Sequence, residues 1–394
     1  MFELPGVPLS ELKESFSRIT VYPGQRNVAE VCFRDGRCAR MVLGEEISDS
    51  SLREITYNFD SDAILIVTGR GEVLDIDPRV NLGSPGVCPV VYLDQGHWST
   101  LSKRMYGTTG LRESDIAAAD ALIELAKSRR IILPMSAGHA LETSALFNAK
   151  RQDLACTIFQ LSRGWQMRNP VRVRKYEMAK VLSGSAGRRT DVTESEVFST
   201  APGVMDLKRP VGPPGDGQPT IADLHFVMTI LSGMYDVLLS PVRVESVKAV
   251  GWCEYYNNII GDQAFLSRRR EQRRTDALAI SLVDVGAEAL EVANSLGVSD
   301  PEYVTTALYE NLQGMPFLSL YADVVDFRLS NRSRWVPNDL VDMLFLGCAS
   351  AYADVVIAEK AATNYLTRSW RDRGGSSPVV ATLPEGVEAL QRVL

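Results

Sequence analysis

The first 86 residues are patterned as a small β-rich module. The apolar-rich segment 28–43 is interrupted by Asp35-Gly36, a dipeptide that is typical of a two-residue hairpin turn. A second hairpin is predicted over 63–76, where apolar residues lie on both sides of a glycine-rich turn. Residues 81–86 contain glycine, serine and proline and are predicted to form a linker.

After this linker the apolar residues alternate between strand-like and helix-like spacing. Four short apolar runs predict strands, namely 89–93, 130–133, 354–358 and 378–383. Helices are predicted at 114–129, across His139 and Glu142, at 339–351 with Asn338 as a cap, and from Pro384 to the end. Strands and helices in alternation are the pattern of a parallel sheet covered by helices.

The middle of the chain interrupts this predicted sheet. Residues 183–220 are rich in glycine, proline, serine and arginine and are predicted to form a loop, whereas 221–329 has a helical pattern. The sequence therefore predicts an α/β protein in four parts. They are a β-rich module at 1–86, the first part of an α/β domain at 87–182, a loop with a helical insertion at 183–334, and the second part of the domain at 335–394.

Composition restricts the class of protein more than its function. Hydrophobic residues make up 45% and charged residues 23%, values that exclude a globally disordered chain. No apolar run approaches the roughly 18 residues that a membrane-spanning helix needs. The first residues lack the basic and apolar regions of a signal peptide. We therefore expect a bacterial-type cytoplasmic protein without membrane contact.

The six cysteines show no CxxC spacing that would indicate a metal or redox motif. In a two-residue hairpin, Phe33 would face Cys38 and Cys32 would face Ala39. The two sulfur atoms would then lie on opposite faces of the sheet. Free and mostly buried thiols are therefore predicted, which agrees with a reducing compartment.

Acidic residues follow or neighbour the predicted strands. Asp94 comes directly after the first strand, Glu142 lies in the helix after the second, and Glu359 follows 354–358. Asp339 and Asp342 are three residues apart, so both carboxylates lie on one face of their helix. Ligands bind at the carboxyl ends of parallel strands, where these groups would converge.

A cluster of carboxylates stays ionised only if a cation compensates its charge. Mg²⁺ and Mn²⁺ prefer oxygen ligands and bind substrate phosphates, so the pattern favours phosphodiester hydrolysis by a metal-activated water. Each residue alone has a second interpretation. Asp94 could be a turn or capping aspartate, and Asp339 could be a carboxylate that the helix dipole favours.

Four segments resemble the motifs of PIN-domain nucleases. The strand 90–93 with Asp94 is similar to the first strand and acid of that family, and 133–143 with Glu142 is similar to its second segment. The stretches 338–342 and 353–360 resemble the third and fourth segments. The fourth acid here is a glutamate where the family usually has aspartate, and the long helical insertion is not typical of small members.

This resemblance covers about 87–165 and 335–394 and implies a three-layer α/β/α core. It also implies dependence on Mg²⁺ or Mn²⁺ and endonucleolytic cleavage, with RNA as a more common substrate than DNA. Asp94 and Asp342 would be the principal metal ligands. Glu142 would be a ligand or a base that orients water. Glu359 or Asp354 would complete the site, with Asp339 beside them.

Contacts to nucleic acid require positive charge, yet the formal net charge is −7 and the pI is near 5.3. The best candidates for phosphate contact are Arg268, Arg269, Arg270, Arg273 and Arg274. A solvated helix face is the other interpretation of this run. His97 and His139 neighbour candidate ligands and could contact a scissile phosphate, or could be hydrogen-bonded structural residues.

Two other functions fit parts of the pattern. A strand that ends in Asp75-Ile76-Asp77 is similar to the start of haloacid dehalogenase-like phosphatases, but the following residues lack the hydroxyl group such sites carry. A PIN-like fold without activity could serve as a binding or scaffold protein. The N-terminal module could present substrate, bind a partner protein or hold a homo-oligomer together.

Overall fold

The computed structural model describes most of the chain. The described residues are 8–23, 28–42, 52–76, 87–185, 197–200 and 247–394, together with Leu224, Met228, Tyr235, Leu238 and Leu239. None of the helices formed by these residues is both long and apolar enough to cross a membrane. The chain divides into two compact units, which are 1–88 with 98–167 and 198–243, and 89–97 with 168–197 and 244–394.

The first unit contains an antiparallel sheet of six strands, which are β1 (Phe16–Tyr22), β2 (Val28–Phe33), β3 (Cys38–Val42), β4 (Leu52–Asn58), β5 (Ala63–Thr68) and β6 (Val73–Ile76). Their order in the sheet is β3-β2-β1-β4-β5-β6. Helix α1 (Leu9–Ser15) precedes them. Burial alternates along β5, which is the pattern of a sheet with one face in the core. The prediction that the N-terminal residues are rich in β-structure is confirmed, and the sheet belongs to a compact unit that extends beyond residue 86.

The turn between β2 and β3 corrects the expectation for the cysteines. Phe33 pairs with Arg37, and Gly36 has a φ of 86°, so the loop has three residues instead of two. This shifts the register by one residue and places Cys32 directly opposite Cys38. The two form a disulfide, so the prediction of free thiols is wrong for this pair. Cys88, Cys156, Cys253 and Cys348 are not disulfide-bonded.

The rest of the first unit is mainly helical. Its helices include α3 (Glu113–Lys127), α4 (Ala137–Ser144) and α5 (Asn148–Ser162), and α2 (Gln95–Met105) begins in the second unit and continues into the first. Residues 130–133 do not form the predicted strand, since Ile132 alone makes an isolated bridge there. A short antiparallel pair joins β8 (Gln166–Met167) to β9 (Phe198–Ser199).

The second unit contains a parallel sheet of three strands, β7 (Val91–Leu93), β10 (Val355–Ile357) and β11 (Val379–Val380). Their order in the sheet is β11-β10-β7. These strands confirm three of the four that the sequence predicts after residue 88. Every residue of β7 and β10 is buried, which is typical of a parallel sheet covered by helices. Gly386 lies so close to Ile357 that a Cβ there would clash with its side chain.

Helices cover this sheet and make up most of the other described residues of the second unit. They are α6 (Pro170–Ser185), α7 (Val247–Gly261), α8 (Gln263–Ser267), α9 (Arg270–Asp284), α10 (Gly286–Ser295), α11 (Pro301–Glu310), α12 (Pro316–Ser330), α13 (Pro337–Tyr352), α14 (Lys360–Asp372) and α15 (Leu383–Leu390), with a 3-10 turn at Leu312–Gly314. Helices α13 and α15 pack against β10, and α14 packs against β11. Helix α12 packs against α6, α9, α13 and α14.

The described residues of the predicted helical segment 221–329 are mainly helical, with short turns between the helices. Most of the predicted loop at 183–220 lies outside the described residues, but its described residues include the end of α6 and strand β9, so the loop prediction is wrong there. Helix α13 begins at Pro337, and the residue before it is Val336, so Asn338 is not the cap. The protein is thus a mixed α/β protein with a parallel sheet and a separate antiparallel N-terminal sheet.

Candidate acidic site at the carboxyl end of the parallel sheet

Asp94 and Glu359 lie at the carboxyl ends of two neighbouring strands. The parallel pairing of β7 and β10 continues beyond both strands, because the Asp94 backbone N–H donates to the Ile357 carbonyl over 2.9 Å. The Asp94 carboxylate then accepts the Gln95 N–H at 2.7 Å and the Glu359 N–H at 3.2 Å. These two bonds fix Asp94 beside the start of α14, while the Glu359 residue is exposed.

Helix α13 brings two further acids to this place. Asp339 lies in its first turn, where its carboxylate accepts the Val336 backbone N–H at 2.7 Å. The same oxygen accepts a bond of 2.6 Å from the Arg328 guanidinium, which lies 4.1 Å from the centre of the Trp335 ring. Asp339 is therefore already held by an arginine and by its own helix N-terminus, as its sequence position indicates.

Asp342 shows that the four acids share one electrostatic environment. Burial raises the pKa of its carboxyl group most, and the charges of Asp94, Glu359 and Asp339 raise it further, to about 7. Arg328 acts in the opposite direction but does not offset these effects. Like charges near a partly buried carboxyl group disfavour its ionised form, so negative charge exceeds positive charge around Asp342 even with Arg328 present.

The hydroxyl group of Tyr365 also responds to this environment. Burial raises the pKa of its hydroxyl group first, and the charge of Asp342 is the next cause. The phenol therefore stays protonated at neutral pH and can donate a hydrogen bond at the edge of the acid cluster.

The donor set fits a hard divalent cation by its chemistry, because carboxylate oxygens are the ligands that Mg²⁺ and Mn²⁺ prefer. Among the described residues Asp339 forms an ion pair with Arg328, whereas Asp94, Asp342 and Glu359 form none. Across the described part of the chain, however, no three of these carboxylate oxygens all lie within 4.8 Å of one another. Side-chain rotation is needed before three of them could bind one ion.

Comparison with protein-family models, curated proteins and solved structures gives no match. The function must therefore be argued from the site itself.

Asp354 lies at the opposite end of the sheet from the acid cluster. It precedes β10, and its carboxylate accepts the Val90 backbone N–H at 2.8 Å while its own N–H donates to the Val90 carbonyl at 3.0 Å. Asp354 directly precedes β10 and its carboxylate contacts Val90, which directly precedes β7, so its side chain lies at the amino ends of the strands. Asp354 therefore stabilises the pairing of β7 with β10 and is not a member of the cluster.

Glu142 and His139 lie on α4 of the first unit, whereas Asp94, Asp339, Asp342 and Glu359 belong to the second unit. Glu142 is exposed. His139 is only 2% exposed, and its Nδ1 accepts the Ser136 N–H while the Ser136 hydroxyl accepts the His139 N–H. Its ring also meets Trp98 edge to face. His139 thus caps a helix, the structural alternative that the sequence left open.

His97 lies in the first turn of α2, half-buried, and its backbone N–H donates to the Asp94 carbonyl at 3.0 Å. It is the histidine nearest in sequence to the cluster. Asp75 lies on the antiparallel edge strand β6 beside Arg163, so it does not occupy the parallel-strand end that the phosphatase alternative requires. Asp77 lies outside the described residues.

The arginine run does not form one continuous helix. Helix α8 ends at Ser267 and α9 begins at Arg270, so Arg268 and Arg269 connect two helices. Arg268 forms an ion pair of 2.5 Å with Asp276, and both Arg268 and Arg269 are exposed. Arg273 is half-buried. The side chains of Arg270 and Arg274 lie outside the described part.

Sequence reasoning missed Arg328 and Tyr365. Arg328 is in the predicted helical insertion and meets the cluster only through packing of α12 on α13. Tyr365 follows Glu359 by six residues along α14, a spacing that has no motif of its own. Neither residue carries a local signal of its role.

Proposed function

We propose that the acid cluster binds Mg²⁺ or Mn²⁺ and that the protein is a metal-dependent nuclease with a PIN-like core. The grouping of Asp94, Asp342 and Glu359 at the carboxyl end of a parallel sheet, where the charges of Asp94 and Glu359 act on the Asp342 carboxyl group, carries this proposal. It is supported by the position of the cluster, because open parallel sheets bind ligands at that edge. It is also supported by the excess negative charge, which a divalent cation would neutralise.

In this proposal Asp94, Asp342 and Glu359 hold the cation. A bound divalent ion supplies an activated water and stabilises the oxygens of an in-line phosphodiester displacement. Asp94 is oriented by two backbone N–H groups, so it can present a free lone pair without moving its main chain. Asp342 must release its proton before it binds, because its pKa is near 7 in the metal-free protein.

In this proposal Arg328 and Asp339 do not bind the cation but hold the helix that carries Asp342 in place. The ion pair of 2.6 Å between them fixes the first turn of α13, and Asp342 lies on the same helix three residues later. Residues behind metal ligands commonly change metal affinity or activity by about 10–100-fold. Glu142 and Asp354 have no role in this proposal.

RNA is proposed as the preferred substrate over DNA because the family that the sequence resembles acts mostly on RNA. Arg268 and Arg269 are exposed cations of the second unit, and His97 is next to the cluster. These groups can contact phosphates. A cytoplasmic location, a homo-oligomer and a partner bound through the N-terminal sheet stay predictions.

The second candidate is a scaffold protein that keeps the fold without catalysis. The spread of the carboxylate oxygens favours it, since no three in the described residues converge within 4.8 Å. Metal binding separates the two functions, because a scaffold need not hold a divalent ion.

The decisive experiment is cleavage of labelled single-stranded RNA and single-stranded DNA with Mg²⁺, with Mn²⁺ and with EDTA. Wild type is compared with Asp342→Asn and with Asp354→Asn, which removes a charge at the other end of the same sheet. Cleavage that requires metal, fails in Asp342→Asn and persists in Asp354→Asn supports the nuclease. Absence of cleavage with both substrates and both ions would reject it.

A further inference from the structure

The β2–β3 hairpin places three potential metal ligands on one face of the N-terminal sheet. Cys32 and Glu30 are two residues apart on β2 and therefore point the same way, and Cys38 lies opposite Cys32 on the edge strand β3. One ligand atom of each lies within 4.8 Å of the others, an arrangement that no other acidic, cysteine or histidine group in the described residues shows.

These residues differ from the acid cluster in their chemistry. Two sulfur ligands and one carboxylate favour a thiophilic ion such as Zn²⁺ over Mg²⁺. Cys32 and Glu30 are 5% and 8% exposed, whereas Cys38 is exposed, so an ion can enter from the edge strand. The Cys32 sulfur already lies 3.8 Å from a Glu30 oxygen.

We propose that the hairpin is a redox-controlled zinc site, closed by the Cys32–Cys38 disulfide and opened by reduction. A dithiol reductant transfers two electrons and two protons to the disulfide, so its S–S bond breaks, two thiols form and the reductant becomes a disulfide. Zn²⁺ then binds the two sulfurs and the Glu30 carboxylate. Each thiol releases its proton to solvent, and water completes the coordination.

Two arginines set the charge around this site. Arg40 donates to one Glu30 oxygen at 2.7 Å, and Arg18 lies 3.6 Å from the other. Both cations compete with the metal for Glu30. They also offset the negative charge of two thiolates and a carboxylate, so the complex carries little net charge. Glu30 is therefore the weakest of the three ligands.

The site is tested by titration of the reduced and the oxidised full-length protein with Zn²⁺ alone, using a chromophoric chelator as competitor. We expect the reduced protein to bind one more Zn²⁺ than the oxidised protein. Cys38→Ser should weaken this binding by at least 100-fold and Glu30→Gln by about tenfold. Cys88→Ser, which changes a half-exposed free thiol of the same unit, should leave it unchanged.

Two further readouts identify the ligands. Co²⁺ in place of Zn²⁺ should give a sulfur-to-metal charge-transfer band in the reduced protein, which a carboxylate site cannot produce. Zn²⁺ should protect Cys32 and Cys38, but not Cys88, from alkylation, and this measurement needs no variant. Equal binding by reduced and oxidised protein, survival of binding in Cys38→Ser, or alkylation of Cys32 and Cys38 at an unchanged rate would overturn the proposal.

Discussion

Glu177 and Asp342 are two carboxyl groups of the second unit whose pKa values are both raised, yet their surroundings differ in kind. Glu177 accepts hydrogen bonds from the Phe317 and Leu318 backbone N–H groups at 2.7 and 2.9 Å and from the Tyr352 hydroxyl at 2.6 Å. Burial raises its pKa to about 6 although all three donors lower it. Glu177 thus caps α12.

Asp342 instead has three other carboxylates as its electrostatic neighbours. Burial beside hydrogen-bond donors stabilises a fold, because the donors need an acceptor. Burial beside like charges destabilises a fold unless a cation binds. The comparison teaches that the neighbours of a buried acid, and not its shifted pKa alone, distinguish a structural acid from a candidate functional one.

The largest expected effect is on catalysis. Asp342→Asn keeps the shape of the side chain but removes a charge that the metal needs. We expect cleavage of RNA to fall by roughly 1000-fold, or about 4 kcal/mol of transition-state stabilisation. Initial rates at saturating Mn²⁺ measure this loss. Asp354→Asn, the control, should stay within about twofold, and equal losses in both variants would remove the distinction between the two ends of the sheet.

The next effect is on folding. Glu177→Ala leaves the Phe317 and Leu318 N–H groups and the Tyr352 hydroxyl without their acceptor, so the free energy of unfolding should fall by about 3 kcal/mol. Urea denaturation of the metal-free protein measures it. Glu177→Gln keeps one acceptor oxygen and should lose less. A stable Glu177→Ala protein would show that Glu177 is not the structural counterpart of Asp342.

The pH dependence of stability gives a smaller effect with a defined sign. The pKa of Asp342 is raised from 3.8 to about 7, so between these values the folded metal-free protein binds more protons than the unfolded chain. Its stability therefore falls as pH rises through this window, by about 1–2 kcal/mol after allowance for solvent screening.

Asp342→Asn should remove the part of this decline that Asp342 causes, which includes all of it between about pH 6 and 7, while the raised pKa of Glu177 still contributes below about pH 6. The variant should be more stable than wild type at pH 7.5, whereas Glu177→Ala should be less stable. Denaturation of both proteins at a series of pH values in EDTA measures the difference. A wild-type protein that gained stability relative to Asp342→Asn as pH rose would show that Asp342 is ionised and favourably paired.

The smallest expected effect is on metal affinity and cleavage when Arg328, the partner of Asp339, is replaced. Arg328→Gln removes the ion pair with Asp339 and the stacking on Trp335, so we expect cleavage to fall by about tenfold with a weaker apparent affinity for Mn²⁺. Metal titration of the cleavage rate separates affinity from turnover. An unchanged titration curve would limit Arg328 to a role in folding.

Local patterns were sufficient to predict the elements that position the cluster. The apolar runs that became β7, β10 and β11 and the helical spacing of α13 are visible in the sequence, so Asp94, Asp342 and Glu359 could be selected. The hairpin register could not be predicted as reliably, because Gly36 permits a two-residue or a three-residue loop. That single residue decided whether Cys32 and Cys38 meet.

Other features depend on long-range packing. Asp354 precedes β10 and Glu359 follows it, so the two lie at opposite ends of the strand, but the bond of Asp354 to Val90 depends on the pairing of β10 with β7. Residues 130–133 have a strand-like composition but no partner strand in the parallel sheet. Arg328 is 14 residues from Asp342 in sequence and reaches the cluster through its bond to Asp339, which no periodicity reveals.

The most direct test of metal binding at the acid cluster is calorimetric titration of Mn²⁺ into wild type, Asp342→Asn and Asp354→Asn at pH 6.5 in two buffers of different ionisation heat. The account predicts saturable binding to wild type with release of a proton, because Asp342 must ionise, and the same binding to Asp354→Asn. It predicts a loss of binding in Asp342→Asn. Equal Mn²⁺ binding by all three proteins, or none by wild type, would contradict it.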